Sequence, residues 1–65
     1  MSGDPRLAEL ADRLEAMVEE LDEVAFDRIR EAAADGETAR PATDRDLVRA
    51  RRAVEKAAHL VRALA

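Results

Sequence analysis

The sequence predicts an all-α fold: an antiparallel two-helix hairpin, about residues 5–34 and 44–64, that dimerises into a four-helix bundle. Three observations predict it. Apolar residues recur at three- and four-residue intervals through both segments, which is a helical period. One break separates the segments, marked by Asp35-Gly36 and Pro41. The composition is 48% hydrophobic and 40% charged, dominated by Ala, Glu, Arg and Leu, as in bundles and coiled coils. A chain this charged can also be disordered, but its apolar residues are periodic rather than scattered.

The first helix should start after Asp4. Aspartate is a good N-cap, and Pro5 suits the first helical position because its missing N–H would be unpaired there anyway. No Gly or Pro interrupts the chain from Pro5 to Ala34, a run of roughly 45 Å of helix at 1.5 Å per residue. Leu7, Leu10, Leu14, Met17, Leu21 and Val24 keep the strict three–four spacing of a coiled-coil seam. Arg28 takes the next seam position, and the apolar row shifts to Ala25, Ile29 and Ala32.

Asp35-Gly36 should stop this helix, with Gly36 free to take a left-handed conformation. Residues 35–43 read as a loop and residues 1–4 as a tail, within one domain spanning 1–65. Thr43 is the expected cap of the second helix, with Asp46 as the acidic half of a capping box. In that helix Leu47, Ala50, Val54, Ala57, Val61 and Leu64 repeat at three and four, large residues alternating with alanines. Such alternation lets a neighbouring helix come close.

Charge separates the helices. Residues 4–35 hold eleven acids and four arginines, a net of −7, and residues 44–65 hold six basic and three acidic groups, a net of +3. Opposite charge favours pairing, although each exposed pair contributes under about 1 kcal/mol.

A chain of 65 residues is short of core. Such domains rarely gain more than about 3–5 kcal/mol from burial and are helped by disulfides, metals or oligomerisation. The chain has no cysteine and one histidine, which leaves oligomerisation. Counted back from the loop, Leu64 is expected near Leu14, with Leu7 and Leu10 protruding past it. Phe26, the only aromatic residue, lies about 100° from the centre of the apolar face on a helical wheel. A second hairpin is expected to cover both the overhang and this second face, giving a two-fold homodimer. The predicted interface is Leu7, Leu10, Leu14, Met17, Leu21, Val24, Phe26, Ile29, Leu47, Val54, Val61 and Leu64.

The functional reading is a small non-enzymatic interaction module that pairs with itself and binds another protein. Nucleic-acid binding ranks second. It would use Arg45, Arg49, Arg52 and Lys56, a stripe opposite Leu47, Val54 and Val61. Against it stand the acidic chain and the lack of aromatics among the arginines for base stacking. Glu19 and Glu23 share a face, but the inward Glu-x-x-His pair of a di-metal bundle is absent because Lys56 stands three residues before His59. His59 can pair with Glu55 one turn away and has no nucleophile nearby in sequence. No catalytic residue, metal ligand or cofactor site is predicted. No segment has the length and apolarity of a membrane span, and the N-terminus lacks the basic and apolar regions of a signal peptide; a cytoplasmic location and no membrane partner are expected.

Overall fold

The computed structural model describes the backbone of residues 3–36 and 42–65, and the side chains of all of these but Ala42 and Thr43. It holds two helices, α1 (Pro5–Ala34) and α2 (Ala42–Leu64), packed against each other as a hairpin. The described residues contain no strand.

Asp4 caps α1 as expected. Its carboxylate accepts from the Arg6 backbone N–H at 2.9 Å, and Pro5 follows it. At the other end the Asp35 N–H donates to the Glu31 carbonyl at 3.0 Å and the Gly36 N–H to the Ala33 carbonyl at 3.2 Å. Gly36 has φ of 78°, the left-handed geometry that a glycine adopts without strain.

The start of the second helix differs from expectation. It begins at Ala42, so the backbone of Thr43 lies inside the first turn rather than in front of it. Alanine is the best helix former, and Asp44 brings negative charge to the positive end of the helix dipole, both of which favour a start at this point. The centre of the predicted loop, residues 37–41, lies outside the described residues.

The two helices meet along a seam different from the strict row predicted for each. In α1 the residues turned toward α2 are Leu7, Ala11, Leu14, Val18, Leu21, Ala25, Arg28 and Ala32, all buried or half-buried. In α2 they are Asp44, Leu47, Arg51, Val54, Ala58 and Val61, with Ala65 just past its end. Both rows keep the three–four spacing. The predicted rows share Leu7, Leu14, Leu21, Leu47, Val54 and Val61 with these but take the neighbour on the other side in between: Leu10, Met17 and Val24 are exposed, as are Ala50 and Leu64.

Fixed contacts set the register. At one end the Arg28 Nε donates to Asp44 at 3.2 Å. At the other, Arg62 reaches the Ala8 carbonyl at 3.4 Å and Asp12 at 2.6 Å. Counting between them sets Ala11 across from Val61, Leu14 from Ala58, Val18 from Val54 and Ala25 from Leu47. Alanine on one helix meets a larger residue on the other in most layers, which keeps the axes close and the seam filled. Ala11 is fully buried and Ala58 is 4% exposed.

This register removes the predicted overhang. Leu64 does not lie near Leu14. The end of α2 reaches Gly3, where a Cβ would overlap the Ala65 carbonyl, and Leu7 is half-buried. The surplus length of α1 lies at the loop end instead, because Asp44 pairs with Arg28, a turn and a half before α1 ends.

The described core is small: Ala11, Val18 and Ala58 are its buried members, and none of its large side chains is fully buried. Replacing Ala11 by Leu should force the helices apart and cost about 1–3 kcal/mol. Ala16→Leu, on the exposed side of the same helix, should stay within about 0.5 kcal/mol of the parent. Urea midpoints of the two variants measure the difference.

Candidate interaction surfaces

The hairpin has two flanks of opposite character. In an antiparallel pair using equivalent rows, matching flanks of the two helices face the same side. One flank is polar. Here Arg62 Nη2 pairs with Asp12 at 2.6 Å and Glu15 at 2.9 Å, and Arg51 pairs with Asp22 and, at 3.6 Å, with Glu55. All but the Arg51–Glu55 pair, which lies within α2, join the basic helix to the acidic one. The carboxylates raise the pKa of Arg51, chiefly through the hydrogen bond to Asp22, and that of Arg62, chiefly through the bonds to Asp12 and Glu15. Both arginines titrate far above physiological pH, so the shifts fix their charge and introduce no switch.

The other flank is apolar. Leu10, Met17 and Val24 run along it on α1, seven residues apart, with Ala50, Ala57 and Leu64 beside them on α2. Leu60 and Ala53 widen the α2 side, and Leu64 is 66% exposed. None of the inter-helix ion pairs among the described residues crosses the hairpin on this side.

Phe26 is 59% exposed, with the Arg30 guanidinium 5.6 Å from its ring centroid. It does not share a side with Val24. The register turns Phe26, Ile29 and Val48, all exposed, toward the ion-paired flank near the loop end. One partner helix therefore cannot cover both Val24 and Phe26. The reason is the seam itself, which runs between them on α1.

Of the remaining predicted interface residues, Leu7, Leu14, Leu21, Leu47, Val54 and Val61 are half-buried in the hairpin and form the floor between its flanks. Arg45, Arg49, Arg52 and Lys56 are exposed on the outer side of α2, and none makes an ion pair with a described residue. Glu55 is half-buried and turns to Arg51 rather than to His59. No cluster of three or more potential metal ligands occurs among the described residues, and no described helix is long and apolar enough to cross a membrane. The two-flank division was missed in the sequence because each helix carries two overlapping three–four rows. Adding Arg51 to the α2 pattern would have revealed the second row.

No known protein family's model matches this chain, and it has no significant similarity to a curated protein or a solved structure.

The cap and the ion pairs give two expectations. Asp4 titrates below its usual range because Arg6 donates to its charged form through side chain and backbone. Its folded pKa is depressed, so its contribution is complete above the ordinary carboxylate pKa and is lost as pH falls through the lower folded value. Asp4→Asn, which still caps, should lose that part of the acid sensitivity in a circular-dichroism titration. Arg62→Ala, removing two ion pairs, should lower the thermal midpoint more than Arg49→Ala, which removes none.

Proposed function

We propose that this chain is a small non-enzymatic helical interaction module that acts as a homodimer and binds another protein. Surface area carries the reading. A compact monomer of this chain's 7.2 kDa would expose roughly 4,100 Å². The hairpin exposes 5322 Å². The excess, about 1,200 Å² per chain, is more than the roughly 800 Å² that a standard interface removes from each partner, so one such contact fits within it.

The distribution of that surface supports two contacts. The apolar flank suits self-association, because a homodimer needs one face that complements itself. The Phe26, Ile29 and Val48 patch lies on the other side and is left for a second protein. Aromatic residues and arginine are both enriched at such contacts. The module works in the cytoplasm in this reading, and uses neither cofactor nor metal.

Sedimentation across protein concentration tests the dimer. The parent should run at twice 7.2 kDa, and Met17→Glu with Val24→Glu should run at 7.2 kDa with the seam intact. A folded 7.2 kDa parent at every concentration would sink the reading. For the second contact, a protein co-purifying from the native cell should be lost with Phe26→Ser while the dimer mass is kept.

A second reading has one observation in its favour: Arg45, Arg49, Arg52 and Lys56 stand exposed without ion-pair partners among the described residues. As a nucleic-acid contact they would give salt-dependent binding of RNA or duplex DNA. Unchanged affinity in Arg49→Glu with Arg52→Glu rejects that reading.

A further inference from the structure

We propose that the second copy seats on the apolar flank about a two-fold axis crossing the helices near Met17 and Ala57. Each α1 then lies antiparallel on the partner's α1, each α2 on the partner's α2, and the two loops point to opposite ends. This geometry rests on the homodimer proposed above and names the face and the orientation that it uses.

Side-chain size favours this orientation. Along the flank the register makes three layers: Leu10 with Leu64, Met17 with Ala57, and Val24 with Ala50. They taper from two leucines at one end to a valine and an alanine at the other. Reversing the second copy sets the large end on the partner's small end, and the middle layer on itself, so every layer holds a similar volume. A copy placed with its loop at the same end would stack four leucines at one end and leave an underfilled layer at the other. Uneven filling of that kind costs packing.

Charge at the border favours it too. On α1 the row beside the apolar flank is Arg6, Arg13, Glu20 and Asp27, which sums to zero. The acids that make α1 negative, Asp12, Glu15 and Asp22 among them, lie on the opposite flank, where α2 already pairs them. Arg13, Glu20 and Asp27 make no ion pair with a described residue. In the reversed copy Arg13 comes level with the partner's Glu20, and Arg6 with the partner's Asp27. With the loops at the same end, Asp27 would instead come level with the partner's Asp46, a like-charge contact.

The chain has no cysteine, so a spin label can be placed at one site. Ala33 is exposed near the loop end of α1, sixteen positions from the axis, and Ala33→Cys leaves both seam and flank untouched. Labels there should lie roughly 48 Å apart in the dimer, at 1.5 Å rise per residue. A separation under about 25 Å, the width of two helices, would place the loops at the same end and overturn the orientation while keeping the dimer. No dipolar coupling together with a 7.2 kDa mass would remove the dimer itself, and the orientation with it. A charge swap gives an independent check. Arg13→Glu should weaken association roughly tenfold, since the two-fold axis makes the clash twice. Adding Glu20→Arg in the same chain should restore it to within about twofold of the parent, and failure to restore it would overturn the pairing.

Discussion

In a hairpin of two helices each helix can press only one stripe against the other, and this limit governs everything else in the structure. The chosen stripe must leave no gaps. Here the layers match alanine to a larger residue: Ala11 to Val61, Leu14 to Ala58, Ala25 to Leu47. The axes come close, but little apolar area is removed, because alanine has little to bury. Ala11, Val18 and Ala58 are the buried residues that result among those described.

The polar flank follows from the same choice. With the seam through Leu14 and Leu21, the neighbouring row on α1 carries Glu15 and Asp22, and the matching row on α2 carries Glu55 and Arg62 beside Arg51. Opposite charges then meet across the hairpin. These pairs are exposed, so each adds little to stability. Their larger effect is on register, since an offset of one turn would bring Asp22 level with Glu55 rather than with Arg51. The apolar flank is the remainder, a stripe that two helices have no means to cover. In the proposed dimer that remainder becomes the contact with the second copy, and Phe26 on the other side stays available to a different protein.

The sequence made the elements themselves legible. The N-cap at Asp4, the unbroken run from Pro5 to Ala34 and the left-handed Gly36 depend on residues close in sequence, so local rules reach them. The start of α2 at Ala42 escaped because a threonine before Asp44 resembles a cap, whereas the energetic difference between starting at either residue is small. The acidic and basic division of the helices was visible from composition, and it correctly implied that they would pair.

What the sequence by itself determined is two amphipathic helices of opposite charge joined at one break, each with a broad apolar face. Periodicity and capping are local, and they fix a helix and its face to within about one row. Which of two overlapping rows forms the seam was decided only in the tertiary structure. Leu7, Leu14 and Leu21 belong to both rows, so their spacing cannot choose between Ala11 and Leu10, or Val18 and Met17. The choice needs both helices at once: small must meet large in most layers while Arg51 and Arg62 reach Asp22 and Asp12. That joint condition sends the alanines into the hairpin, turns the larger Leu10, Met17 and Val24 outward, and sets Phe26 on the far side from them.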